Sequence, residues 1–403
     1  MRAKEQRAAE RQKRPIKVFM MDLWATVPYY TAYLSRALMA EGARVQIGSI
    51  TYYLDRECFS SRGLKNDPGL LDAVGRFSLP KRLRQGLKLA EGAFNLAALS
   101  LRLAIRPPDI VHVQYLPMLR SPAPLDWWFV CLMQRRGVKI VLTVHDLLPH
   151  DTAERYRSVF AKLYPRMNAL ICHSDHVKSR LEHEFGIAEE RISVIPHGPF
   201  FFDLQPDVAE AALLPALQAG QKIVLWQGII FPYKGIDLLL DAWQTVEAEV
   251  SDATLVVMGT GAPRLLEEIR ARVQERALRR VTLDFQFAST QKLVAMYRAA
   301  DVVVYPYRAI TTSGALATGM ALGKAIVASD LPAFRELLED GRDALLVSPG
   351  DRDQLATALI SVLRDSELRE QLAAAVRVRD FGARSWTAIA GETMRVYERL
   401  VSR

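Results

Sequence analysis

The 403 residues, half of them hydrophobic, are long for one core and enough to bury two. No apolar run approaches the roughly 20 residues of a membrane-spanning helix, the stretch from Arg2 to Arg14 lacks the apolar segment of a secretory signal, and three scattered cysteines argue for a reducing compartment and against structural zinc, with Cys58 expected to be more exposed than Cys131 or Cys172. A net charge of +8 suits anionic partners, yet the basic residues are not interleaved with stacking aromatics and no binding motif occurs, which argues against nucleic acid.

In chain order, a mixed-charge tail gives way to an opening strand at Ile16 to Met21, then to Asp22-Leu23-Trp24-Ala25-Thr26-Val27-Pro28. A helix over Tyr30 to Ala40 and a strand over Arg44 to Ile50 follow. Between Ser78 and Arg106 the composition changes: Lys81, Arg82, Arg84 and Lys88 lead into a helix-prone apolar run from Leu87 to Ala104, in which Glu91 is the one acid. Such a segment is either a domain helix with a solvated basic end or one that rests on an anionic bilayer or faces a lipid-diphosphate acceptor. Next come a strand at Ile110 to Val113, an aromatic-rich helix over Asp126 to Gln134, and a strand over Lys139 to Val144 that ends in His145-Asp146. Ala169 to Cys172 runs through His173-Ser174, a helix-capping pair, into a helix at His176, and Ile192 to Ile195 closes this half. The rhythm predicts a parallel sheet with ligands at the carboxyl ends of its strands. His145, His150, His173 and His197 lie on separate strand ends without helical two-His spacing, so no metal site is expected.

Phe200 to Gly220, with Pro206 and Pro215, reads as a linker, and beyond it three strand-to-helix junctions carry glycine. The first runs from Val224 through Gly228 to Lys234-Gly235 and a helix near Ile236; a lysine so placed reaches an anion held on helix amides. The second, Thr254 to Ala262, ends in Gly259-Thr260-Gly261, either a plain turn or a nucleotide-facing one. The third joins the strand Asp301 to Arg308 to a helix from Ala315 to Leu322 through Thr311-Thr312-Ser313-Gly314. Thr312 or Ser313 is the expected N-cap, and the amides behind it suit a diphosphate.

Strand-Gly-x-x-x-x-x-Lys-Gly, then Gly-x-Gly, then Met320-Ala321-Leu322-Gly323-Lys324, in that order, resembles the family 4 (group 1) retaining glycosyltransferases. Val194-Ile195-Pro196-His197-Gly198, Ala325 to Glu336, Asp340-Gly341, Leu345 to Asp351 and a last helix opened by Ser385-Trp386 fit the same pattern. The resemblance, over about residues 15–400, implies an α/β protein of the GT-B fold, two Rossmann-like domains facing across a cleft. Its parts would be a basic tail (1–14), an acceptor-side domain (15–200), a linker (201–220), a nucleotide-sugar domain (221–380) and a terminal helix (381–403) returning to the first domain. It implies His145 as the group that meets the donor sugar, with Asp22, Trp24 and Asp146 on the acceptor side. Lys234, Gly228, Thr311, Thr312, Ser313 and Gly314 would hold the diphosphate and sugar, and Gly259, Gly261 and Thr318 the nucleoside.

The sequence also departs from that pattern. The two glutamates most members place at the third junction would fall at Ile310 and Thr318, and a frequent arginine at Ile229. The expected activity is metal-independent transfer of a hexose from a UDP-, GDP- or ADP-sugar to a glycan or lipid-linked acceptor, without a cofactor. An inactive binding or partner subunit is the alternative. The expected location is cytoplasmic, with peripheral contact at the inner face of an anionic membrane.

Overall fold

The computed structural model describes residues 14–51, 55–77, 80–119, 125–148, 153–203, 220–310, 313–378 and 381–402. They form two compact units, one ending at Gly198 and completed by the residues from Gly382, the other spanning Pro199–Phe381.

The first unit begins with β1 (Lys17–Asp22), α1 (Pro28–Ala40), β2 (Arg44–Gly48) and α2 (Lys81–Ile105), followed by β3 (Ile110–Tyr115), α3 (Leu125–Arg135) and β4 (Lys139–Val144). α4 (Ala153–Leu163), β5 (Ala169–Cys172), α5 (Asp175–Phe185) and β6 (Ile192–Val194) complete its sheet, a parallel one in the order β2-β1-β3-β4-β5-β6. Its inner strands are buried along nearly their whole length because helices cover both faces, as in β4, where every residue after Lys139 is buried. Ser174 caps α5 by accepting from the Val177 amide at 3.3 Å, which fixes where His173 leaves the sheet.

The second unit repeats the plan: β7 (Lys222–Gln227), α6 (Ile236–Glu249), β8 (Ala253–Met258), α7 (Pro263–Glu275), β9 (Val281–Asp284), α8 (Thr290–Ala299) and β10 (Val302–Tyr305). α9 (Gly314–Ala321), β11 (Ala325–Ser329), the short α10 (Pro332–Arg335), β12 (Leu345–Val347), α11 (Arg352–Arg364) and α12 (Ser366–Arg377) finish it. The strand order is β12-β11-β10-β7-β8-β9, with β7 central, so the first and third junctions leave neighbouring strands. The last helix, α13 (Trp386–Val401), is capped by Ser385 and belongs to the first unit. Trp386 stacks on Tyr33 at 5.5 Å between centroids, and the Tyr397 hydroxyl lies 2.5 Å from His112 Nδ1.

The cysteine expectation is corrected. Cys58 is fully buried and Cys131 is the partly exposed one. The turn holding Cys58 sends Phe59 into an apolar cluster with Ala32, Ile47 and Leu64, and the buried Arg62 donates to the Cys58 carbonyl at 2.7 Å. No described helix is long and apolar enough to cross a membrane.

Candidate functional site

In the second unit the three glycine junctions converge. Gly235, at φ 67°, ends the short turn Pro232–Lys234 and starts α6; a Cβ there would meet the Pro306 carbonyl at 1.9 Å, so only glycine lets the first junction pack on the third. Arg308 locks them: its amide donates to Tyr233 O at 2.7 Å, and its guanidinium grips Asp237 in two bonds of 2.9 and 2.7 Å. Gly259, at φ 154°, is needed for a similar reason, since a Cβ would sit 1.8 Å from Gly228 O. The Gly-x-Gly turn is thus explained by packing of strand end on strand end: Ile230 donates to Thr260 O at 2.7 Å, and Gly261 pairs with Ile230.

Lys234 is the charged group this packing encloses. Its ammonium lies over the rings of Trp226 and Tyr307, at 6.0 and 5.7 Å from their centroids, and points at Gly228. No anion among the described residues pairs with it, and loss of water pushes its pKa down to about 8. Tyr307, fully buried, leads toward Ser313, which caps α9 by accepting from Leu316 N at 3.1 Å. That cap leaves the Gly314 and Ala315 amides at the open end of an eight-residue helix. Tyr305 donates to Ala315 O at 2.7 Å and pins this end to β10. An ammonium of this kind and an open helix start are each groups on which an anion can be held.

Thr311 and Thr312 lie outside the described residues. Thr318 corrects an expectation: it is 2% exposed and donates its hydroxyl to Gly314 O at 2.8 Å, so it faces the interior of its unit and offers nothing to a ribose. Ile310, at the other glutamate position, is half-buried, and Glu336 is exposed. Lys324 donates to the Arg298 and Ala300 carbonyls, capping the end of α8. A separate cavity of about 440 Å³ is lined by Phe231, Tyr233, Asp237, Leu265, Arg272 and Arg308 but by none of the residues expected to hold a donor.

In the first unit His145 is only partly exposed, and both its ring nitrogens are engaged: Nε2 lies 3.0 Å from Gln114 Oε1, Nδ1 3.4 Å from His173 Nε2. His173 Nδ1 in turn faces the Ile195 carbonyl at 2.9 Å. Tyr30 sits edge-on to His145 at 4.7 Å and also touches His173, His197 and Trp386. Burial drives His145 well below the ordinary histidine pKa, and takes His112 and His197 down to about 3. The cluster is therefore uncharged, and His145 is a held imidazole that can meet a ligand only by giving up a partner. The sequence signal missed Gln114, whose strand neighbours the one that ends at His145.

Asp22 is a further correction. It is fully buried, and its carboxylate accepts from the Thr26 and Val27 amides at 2.7 and 3.0 Å and from the Thr31 hydroxyl, so it shapes the turn into α1 in place of meeting an acceptor. Trp24 is half-buried beside α2, with the Lys88 ammonium 5.7 Å over its ring, while Asp146 is exposed. His150 lies outside the described residues.

Comparison with known proteins bears on both units. A model of Glycosyltransferase Family 4 matches residues 27–198, and a model of Glycosyl transferases group 1 matches residues 221–365. A D-inositol 3-phosphate glycosyltransferase of Jonesia denitrificans is 26% identical over 407 residues, covering 92% of this chain and 90% of that protein. A phosphatidyl-myo-inositol mannosyltransferase of Mycolicibacterium smegmatis is 35% identical over 194 residues, 47% of this chain and 48% of that one. Among solved structures, Anabaena HepE in complex with UDP and glucose superposes with a TM-score of 0.71 at 17% identity, covering 97% of this chain and all of the other. WaaG, a glycosyltransferase involved in lipopolysaccharide biosynthesis, gives 0.62 at 16% identity over 96% and 99%. At such identities the structures speak to the fold alone, which is GT-B.

Proposed function

The chain belongs to the family 4 (group 1) glycosyltransferases, and from that premise we propose that it moves a hexose from a nucleoside diphosphate sugar to a hydroxyl of a glycan or lipid-linked acceptor, with retention at the anomeric carbon. The observation that carries this is Lys234, a desolvated ammonium without an anion among the described residues, in the same unit as the open start of α9. A donor diphosphate supplies the missing charge. As the glycosidic bond to the phosphate oxygen lengthens, negative charge grows on that oxygen, and Lys234 with the Gly314 and Ala315 amides stabilises it. The departing phosphate takes the acceptor proton as the acceptor oxygen closes on the same face of the sugar, so no side-chain nucleophile is required. In this scheme the ammonium and the amides serve where a divalent cation would, and the reaction runs without metal. His145 orients the sugar, and Asp146, exposed beside it, is kept on the acceptor side.

The relatives' acceptors are inositol phosphate and phosphatidyl-myo-inositol by name, which favours a polyol or lipid-linked acceptor over a small free sugar. Assembly of an exopolysaccharide or envelope glycan at the inner face of a membrane fits that acceptor class. The inactive-subunit alternative draws on one observation, the buried Thr318 where a ribose ligand would stand.

A melting-temperature screen against UDP-, GDP- and ADP-sugars in EDTA, followed by product analysis, tests the reading. Stabilisation by one donor and an axial or equatorial product linkage matching that of the donor supports it. A well-folded chain that no nucleotide sugar stabilises overturns it in favour of the partner subunit.

A further inference from the structure

We propose that α2 lies in the surface of an anionic lipid bilayer, with an apolar stripe along its outer face inserted among the acyl chains. The stripe is Leu83, Leu87, Ala90, Phe94, Ala97, Leu101 and Ile105, spaced by three and four residues and therefore on one side of the helix. All seven are exposed, Leu83 at 52%, Phe94 at 58%, Leu101 and Ile105 at 66%. From Leu83 to Ile105 the stripe runs about 33 Å at 1.5 Å per residue. The opposite side is fixed in the core by Leu96, Leu99 and Leu103, so the exposed residues cannot turn inward. An apolar surface of that length is not the scattered exposure of an ordinary protein face.

Charge selects the occupant. The helix's one acid, Glu91, is turned inward and buried, its carboxylate accepting from the Ala73 and Val74 amides at 2.7 and 3.0 Å. Arg102, its side chain 36% exposed, is neutralised by the buried Asp67, and the half-buried Lys88 lies over Trp24. What remains at the surface is an uncharged stripe with Arg82 exposed at one end and Arg106 at the other, and with Arg84 half-buried. An apolar line with cations at its ends is the pattern of a helix lying in an interface, where guanidinium groups reach the lipid phosphates. Further apolar groups are exposed close by in the chain: Phe77 just before the helix, and Leu71, whose backbone is bonded twice to Asn95 of α2. A second copy is the poorer occupant. A two-fold pairing of antiparallel α2 helices sets Arg82 of one against Arg106 of the other, like charge on like. The proposal deepens the lipid-linked acceptor reading, since it names the surface on which that acceptor would be met. It also shifts the weight of binding from the basic residues to the stripe.

The test is flotation of the full chain with vesicles of phosphatidylcholine alone or mixed with phosphatidylglycerol, at low and high salt. The parent is expected to float with the mixed vesicles and to keep most of its binding as salt rises, because the inserted side chains are unscreened. The pair Phe94→Ser and Leu101→Ser should lower the partition coefficient at least tenfold with an unchanged melting temperature, both side chains being exposed. Arg82→Glu with Arg106→Glu should remove the preference for phosphatidylglycerol several-fold. A serine pair that floats like the parent overturns the proposal. So does a parent that ignores vesicles and is instead a dimer by light scattering, made monomeric by the serine pair. Donor stabilisation measured on the same samples without vesicles separates the two ideas: binding to vesicles without binding of any donor sinks the transfer reading and leaves this one standing.

Discussion

Replacing Lys234 by methionine separates a donor-binding lysine from a surface one, because the two roles predict opposite signs for stability. In the free chain the ammonium is held with its pKa near 8, against 10.5 for the ordinary side chain, by loss of water. At about 1.4 kcal/mol per unit, the charged form costs roughly 3 kcal/mol in the fold at neutral pH. The Trp226 and Tyr307 rings return about 0.5–1 kcal/mol each as cation–π attraction, and the side chain keeps some solvent contact. The net gain expected on removing the charge, with the stem's volume preserved, is therefore about 1–2 kcal/mol. Sign fixes the pH window. Between about 8 and 10.5 the unfolded chain holds a proton that the folded chain has released, so stability rises with pH across that window in the parent and not in Lys234→Met. Donor turnover should move the other way, falling roughly 30- to 1,000-fold for a loss of about 2–4 kcal/mol of charge stabilisation in the transition state. Melting curves from pH 7 to 10 and initial rates at saturating donor measure both. A variant that is less stable than the parent at neutral pH, or equally active, refutes the argument.

The histidine cluster predicts acid lability of the first unit: His112, His145, His173 and His197 are all depressed below 6.5, so the unfolded chain takes up protons first and stability falls as pH drops from about 6.5 toward 3. Denaturant midpoints at pH 7, 6 and 5 should decline progressively, and a flat profile would contradict the buried, uncharged cluster. Gln114→Ala should leave donor affinity nearly unchanged while lowering turnover, since it frees the His145 ring; His145→Ala should do the same, and a parallel loss of nucleotide affinity in both would make the network merely structural. Ser313→Pro should abolish donor stabilisation by removing the cap of α9, whereas Thr318→Ser, which keeps the bond to Gly314, should bind donor like the parent. Gly259→Ala should destabilise the second unit by more than about 3 kcal/mol in urea, because its Cβ has no room against the Gly228 carbonyl.

What the sequence disclosed and what it hid divide along a physical line. The strands and junctions were legible because they are encoded locally: Val302 to Tyr305 is apolar throughout since both faces are covered, and Ser313 caps α9 because a serine before a helix start has few better uses. Side-chain direction was not legible, being settled by contacts far away in the chain. Asp22 looked like a free carboxylate at a strand end until Thr26, Val27 and Thr31 folded around it. Glu91 read only as the one acid of the run, with no direction attached; the Ala73 and Val74 amides draw it inward and leave the outer face apolar. Thr318 shows the limit of reading a role from register. Its position matches a ribose-gripping glutamate in the family pattern, yet a helix whose Gly319 and Ala315 pack against Tyr305 keeps residue 318 in the interior, where a small hydroxyl bonded to its own helix is tolerated and a carboxylate is not. The substitution and the packing explain each other, and in the proposed donor site they leave the anion to Lys234 of the first junction and the backbone of the third, two features that do not depend on the missing glutamates.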